Sequence, residues 1–100
     1  MPAPNAHEYA HARNEDCRRE VRAWLANRPT IAAYVQQIAR GLRHGHNRSD
    51  WSPDEVASAL AFLTGAQPPQ AVEIENGMGS TRFYQITSAG TLAHERDPRA

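Results

Sequence analysis

The segment from Trp51 to Gly90 constrains the fold more than any other part of the chain. Near its start, Ser52 is a favourable N-cap and Pro53 suits the first helical position. Glu55 stands three residues after Ser52, which is the spacing of a capping box. The sequence therefore predicts a helix that ends at Gly65. Its core-facing residues, which recur at helical spacing, are Val56, Ala59, Leu60 and Leu63.

Two short runs of alternating residues follow this helix. The first is Ala71–Glu75 and the second is Arg82–Ile86, and the connection between them contains Gly77 and Gly79. Alternating runs around a glycine-rich connection are typical of a β-hairpin. Thr87 has the position of an N-cap, so we expect one more short helix after the hairpin.

The first half of the chain predicts two further helices. The first runs from about Ala6 to Asn27. Arg13 and Asn14 interrupt its apolar stripe, so we expect residues 1–14 to form a helical extension beyond the core. The stripe consists of Ala10, Cys17, Val21, Trp24 and Leu25. The second helix is predicted to start at Thr30 or Ile31 and to end near Gly45. Its predicted buried residues are Ile31, Tyr34, Val35, Ile38 and Leu42.

Charge is unevenly placed along a chain whose formal net charge is zero. The segment 28–49 holds four arginines and no acid, whereas the segment 50–100 has a net charge of −4. A basic block between neutral and acidic parts favours a local anion-binding surface. Cys17, the single cysteine, fits a reducing cytoplasm. No apolar run approaches the ~20 residues of a membrane span. We therefore expect a cytoplasmic protein without a membrane contact.

This order of elements resembles the winged helix-turn-helix superfamily of small bacterial and phage DNA-binding regulators. Three stretches carry the resemblance: Tyr34–Ala39 as the second helix, Val56–Leu63 as the third, and Tyr84–Gly90 as an aromatic strand running into Thr-x-x-Gly. The resemblance implies an α+β winged helix: a three-helix body, a two-stranded β-hairpin wing and a short C-terminal helix. The winged-helix domain would span residues 15–95, and residues 96–100 would form a tail.

The same resemblance implies binding of double-stranded DNA by a transcriptional regulator. The N-terminal half of the first helix exceeds what the core needs, so we expect a homodimer that forms through this helix. In that family the third helix enters the major groove, the second helix crosses a phosphate backbone, and the wing contacts the minor groove. The implied phosphate contacts come from Arg40, Arg43, His44 and Arg48. Arg82 would act in the wing, and Ser58 would contact base edges.

The outer face of the third helix leaves a second reading open. Base readout usually uses Arg, Lys, Asn or Gln. None of these residues occurs between Pro53 and Gly65. The alternative is a winged helix that serves as a protein-interaction module without DNA binding. Its contact face would consist of Asp54, Glu55, Ala61 and Phe62.

Catalytic and metal-binding patterns are weak in this sequence. His7-Glu8-Tyr9-Ala10-His11 matches the H-E-x-x-H zinc motif, but no upstream sheet could form a cleft beside it. His44, His46 and His94 lack a carboxylate or thiol at matching spacing. No nucleophile elbow or glycine-rich phosphate loop occurs. We therefore expect neither an enzyme nor a metal or cofactor site.

Overall fold

The part of the chain that the structure describes contains four helices and one antiparallel hairpin, so the predicted α+β class is confirmed. The computed structural model describes residues 6–45, 48–75 and 79–98, with side chains from residue 10 onward. The helices are α1 (Ala6–Ala26), α2 (Val35–Arg43), α3 (Pro53–Gly65) and α4 (Ser88–Arg96). The strands are β1 (Ala71–Ile74) and β2 (Phe83–Ile86), paired in a register that places Ala71 opposite Ile86. Their order along the chain is the predicted one.

The core forms where α1 packs against α3. Val21 and Leu25 of α1 and Val56 and Leu60 of α3 are fully buried. Burying each of these large aliphatic side chains stabilises the fold by roughly 1.5–3 kcal/mol. The predicted stripes of both helices are thus confirmed, except that Ala10 is exposed. Ala10 lies about two turns ahead of Cys17, the first buried residue among the described side chains of α1, so the core contact begins later than the periodicity suggested.

The predicted start of the second helix is wrong, because an extended segment precedes α2. Ala33 forms an isolated antiparallel bridge with Tyr84. Its N–H donates to the Tyr84 carbonyl at 2.9 Å, and the Tyr84 N–H donates back at 2.8 Å. Two such bonds hold Ala33 extended against β2, so α2 begins only at Val35. Ile31, predicted to be buried on the helix, is instead 46% exposed.

The N-terminus of α3 is tied to α1 by one arginine. Ser52 and Glu55 form the predicted capping box, in which each side chain accepts a hydrogen bond from the backbone N–H of the other. Arg13 binds the same carboxylate in a bidentate manner, at 2.6 Å through Nε and 3.1 Å through Nη2. Its guanidinium also lies 4.6 Å from the centre of the Trp51 ring. The predicted boundary after residue 14 stays a prediction, but Arg13 contacts the start of α3.

The Thr-x-x-Gly turn after β2 is held by close packing. The Thr87 hydroxyl accepts a hydrogen bond from the Gly90 N–H at 3.1 Å, as predicted for an N-cap. Gly90 is buried, and a Cβ added there would press on the Gln70 carbonyl oxygen and lie 2.6 Å from Ile86 Cδ1. A side chain at this position would therefore push α4 away from the strands.

Gly90→Ala is expected to lower the free energy of unfolding by about 2 kcal/mol, because overpacking a buried site costs about 1–3 kcal/mol. Urea unfolding followed by circular dichroism measures the change. Gly65→Ala is the matched control, since a Cβ at Gly65 meets nothing within 4 Å. Its expected effect is zero to a slight stabilisation. Equal stabilities of the two variants would contradict the close contact at Gly90.

Glu55 is expected to make stability depend on acid pH. Hydrogen bonds from Arg13, aided by those from Ser52, hold the pKa of the Glu55 carboxyl below its usual value of 4.5 against the opposing effect of desolvation. A depressed native pKa contributes stability that is present above the unfolded pKa and is lost as pH falls through the native pKa. The stability difference between the unaltered chain and Glu55→Gln should therefore stay constant near neutral pH and shrink below about pH 4.5.

Urea unfolding at neutral and acid pH measures this difference. Glu75→Gln, at an exposed position after β1, controls for the loss of one negative charge. A Glu55→Gln difference that is the same at neutral and acid pH would show that Arg13 does not stabilise the charged form.

Candidate nucleic-acid interface

Four of the six predicted DNA-contacting residues lie together at the C-terminal end of α2. The following loop folds back on the helix, because Ser49 N–H donates to the Leu42 carbonyl at 3.1 Å and Arg48 N–H donates to the Gly45 carbonyl at 3.2 Å. Here we call the exposed set Arg40, Arg43, His44 and Arg48 the α2 basic end. Its side chains belong to the last turn of one helix and the loop that closes over it.

The α2 basic end keeps a positive charge after its ion pair is counted. Arg43 Nη2 lies 3.3 Å from Asp50 Oδ1, in a pair whose side chains are 56% and 86% exposed. Such exposed pairs contribute only about 0–1 kcal/mol, so a phosphate can displace the carboxylate. No described carboxylate pairs with Arg40 or Arg48. Cations at a helix C-terminus also complement the macrodipole, so part of this cluster serves the helix itself.

Arg48 adopts an uncommon backbone conformation within this end. Its φ is +50°, in the left-handed region that costs a non-glycine residue roughly 1–2 kcal/mol. Arg48 donates to the Gly45 carbonyl, and the adjacent Ser49 donates to the Leu42 carbonyl of α2. These two hydrogen bonds tie the Arg48 backbone to the end of α2, so its side chain is presented from beside the helix.

Arg82 lies apart from this set, on the arm of the hairpin just before β2. It pairs with Glu73 at 3.3 Å, diagonally across the two strands. The pair is solvent-exposed and thus as easily opened as that of Arg43. Within the described residues, no hydrogen bond or ion pair links Arg82 to the α2 basic end. Gly79 has a φ of +73°, as a tight turn requires, whereas Gly77 lies outside the described residues.

Ser58 lies on the outer face of α3 among small side chains. The exposed positions around it are Asp54, Ala57 and Ala61, while the opposite face is buried in the core. A hydroxyl can reach either kind of base edge but distinguishes bases poorly. The geometry thus places exposed cations at α2 and in the hairpin, and almost no base-reading side chain on α3.

Two residues of the alternative protein-contact face are already engaged by α1. Glu55 is held by Arg13. Phe62 is 52% exposed, and the Arg18 guanidinium lies 3.8 Å from its ring centre. Asp54 and Ala61 remain exposed. Neither the pairing of Arg13 nor the contact of Arg18 is predicted from the sequence. Arg13 and Glu55, for example, are 42 residues apart, and no local pattern joins them.

The potential metal ligands among the described residues do not cluster. They include no group of three or more His, Cys, Asp and Glu that could hold a metal ion. The described part of the structure does not include the side chains of His7 and Glu8 or any part of His46. The expected lack of a metal site at these motifs therefore stays a prediction. Burial raises the pKa of the Cys17 thiol to about 12, aided by Glu55 and Glu20, so the thiol stays protonated at neutral pH.

Comparison with known proteins identifies no relative of this chain. No known family matches the sequence, and no curated protein or solved structure is significantly similar to it. Within the described part of the chain, the helices are too short or too polar to cross a bilayer.

Proposed function

We propose that the chain is a winged-helix DNA-binding protein, of the transcription-regulator class, that holds duplex DNA mainly through its phosphates. The observation that carries the proposal is the α2 basic end. It presents three exposed guanidinium groups against one exposed carboxylate. Guanidinium groups pair with phosphate oxygens in a bidentate geometry, which makes Arg the side chain of choice for such contacts.

The way the hairpin is attached supports the winged-helix part of the proposal. The bridge between Ala33 and Tyr84 lets the segment between α1 and α2 extend the hairpin at the β2 edge. The bridge holds β2 at Tyr84, two residues from Arg82, against the segment between α1 and α2. The exposed Arg82 of this hairpin would supply a second contact to a DNA backbone.

The composition of α3 determines the kind of binding that we propose. Its outer face carries neither Arg, Lys, Asn nor Gln, so direct base readout has no donor–acceptor pair to use. Affinity would come from counterion release at the phosphates, which is independent of sequence. We therefore propose weak sequence preference, with DNA shape rather than base identity setting any selectivity.

Dimerisation through α1 is part of the same proposal. The helix has 21 residues, a length of about 31 Å at 1.5 Å per residue. Its first turns carry no described buried residue before Cys17. A second copy would cover this part and would place two α2 basic ends on one duplex.

Removing two arginines that no described carboxylate pairs with is expected to weaken DNA binding and to reduce its salt dependence. For Arg40→Ala with Arg48→Ala, the slope of log affinity against log salt should fall by about 2, because each phosphate contact contributes about 0.9. Fluorescence anisotropy of a labelled duplex at several salt concentrations measures the slope. The loss should be similar on duplexes of unrelated sequence.

Arg28→Ala with Arg96→Ala is the matched control, since it removes the same charge from other parts of the surface. Its slope should fall by much less than that of the α2 variant. Equal slopes for the two double variants, or no binding of the unaltered chain at low salt, would contradict the proposal.

The exposure of Phe62 favours a second candidate function, the protein-interaction module. In that case Phe62→Ala would abolish retention of a partner in affinity purification while leaving the fold intact. Leu92→Ala, at a 44% exposed position of α4, is the control and should retain the partner. This candidate fails if both variants retain the same proteins as the unaltered chain.

A further inference from the structure

The groove between α1 and α3 is separate from the α2 basic end. It has a volume of about 300 Å³, at the lower end of the range of ~300–1,000 Å³ for small-ligand pockets. We call it the α1–α3 groove. It is lined by Glu15, Arg18, Arg19 and Arg22 of α1, by Phe62 and Leu63 of α3, and by Asp97. We propose that this groove binds a small monocarboxylate with an apolar body, held by Arg18.

Arg18 is the lining arginine that has no hydrogen-bond or ion-pair partner among the described residues. Its guanidinium stacks on Phe62, 3.8 Å from the ring centre. Stacking uses the face of the guanidinium and leaves its in-plane N–H donors available. No hydrogen bond or ion pair with another described residue occupies these donors. The contact with Phe62 keeps the guanidinium at the wall of the groove, where its donors can receive a carboxylate in a bidentate manner.

The other two lining arginines are already matched by polar partners. Arg19 Nη2 lies 2.7 Å from Asp16 Oδ1. Arg22 donates to Asp97 at 3.0 Å and to Gln70 at 3.1 Å. These two arginines hold their acids in place and do not compete with Arg18 for a ligand.

The acids of the groove limit the charge of the ligand. The lining residues comprise three arginines and two acids, Glu15 and Asp97, but Arg19 is paired with Asp16 and Arg22 with Asp97. Glu15 lies 3.2 Å from His11 Nε2, one turn earlier on α1. Among the described residues Arg18 is thus the groove arginine left for a ligand, and a second negative charge would meet the carboxylates without a further cation. A carboxylate monoanion therefore fits better than a phosphate dianion.

Apolar contacts favour a ligand with a hydrophobic body. Phe62 is half exposed at the wall, and the neighbouring Leu63 is 1% exposed at the base of the groove. Covering the exposed part of Phe62 removes apolar surface from water, which favours binding. An aromatic or branched aliphatic carboxylate combines this contact with the pairing to Arg18.

Sodium benzoate is a suitable probe, compared with neutral benzyl alcohol and dianionic phenyl phosphate. Titration of ¹⁵N-labelled protein, followed at the Phe62 and Leu63 amides, reports binding. Benzoate should give saturable shifts, and the two comparison compounds should bind about tenfold more weakly or not at all, because a charge-assisted hydrogen bond is lost or a repulsion added.

Arg18→Gln is expected to weaken benzoate binding by about tenfold or more, since it removes the charge and the fork of donors. Arg28→Gln is the matched control. Arg28 also stacks on an aromatic ring, that of Trp24 at 4.1 Å, but outside the groove. Its benzoate affinity should match that of the unaltered chain.

Three results would overturn the proposal: unsaturable benzoate shifts, equal binding of benzyl alcohol, or an Arg18→Gln affinity equal to that of Arg28→Gln. The outcome is independent of DNA binding, because Arg18 lies outside the α2 basic end. Arg40→Ala with Arg48→Ala should therefore leave benzoate binding unchanged.

Discussion

The burial of one stripe of α1 against the inner face of α3 is the contact on which the rest of the structure depends. Val21 and Leu25 meet the helix that carries Val56 and Leu60, and all four are excluded from water. This packing determines which side of α3 faces outward. It also places the arginines of α1 beside Glu55 and Phe62, since these two lie at the edge of the buried face.

Around Ser58, the outer face of α3 carries small side chains and one acid, Asp54. The cationic groups that could bind an anion therefore lie on other elements. Cationic groups that are unpaired within the described residues, or held only by exposed ion pairs, lie at the α2 basic end, in the hairpin and in the α1–α3 groove. The first two suit a polyanion with evenly spaced charges, because their ion pairs are exposed and exchangeable. The groove offers one arginine, Arg18, without an acidic partner among the described residues, so it suits a single small anion. The exposed cations and the groove therefore favour different kinds of anion.

Local sequence signals predicted most of the fold and less of the candidate site. The capping box of Ser52 and Glu55, the alternation of the strands and the Thr87 cap each need only neighbouring residues, and the structure confirms them. The predicted start of α2 is wrong, because the true start depends on a bridge between Ala33 and Tyr84 that no local pattern encodes. The pairing of Arg13 with Glu55 and the stacking of Arg18 on Phe62 were missed for the same reason. The basic block of residues 28–49 predicted the α2 basic end, because its members are close in sequence.

The central claim is that DNA contacts the α2 basic end and the hairpin and leaves the outer face of α3 largely untouched. Mapping of amide shifts on ¹⁵N-labelled protein with an unlabelled duplex tests it directly. The account predicts the largest shifts at residues 40–45, 48–50 and 79–82, and small ones at Ser58 and Ala61. The largest shifts along the outer face of α3, or shifts confined to α1, would contradict it.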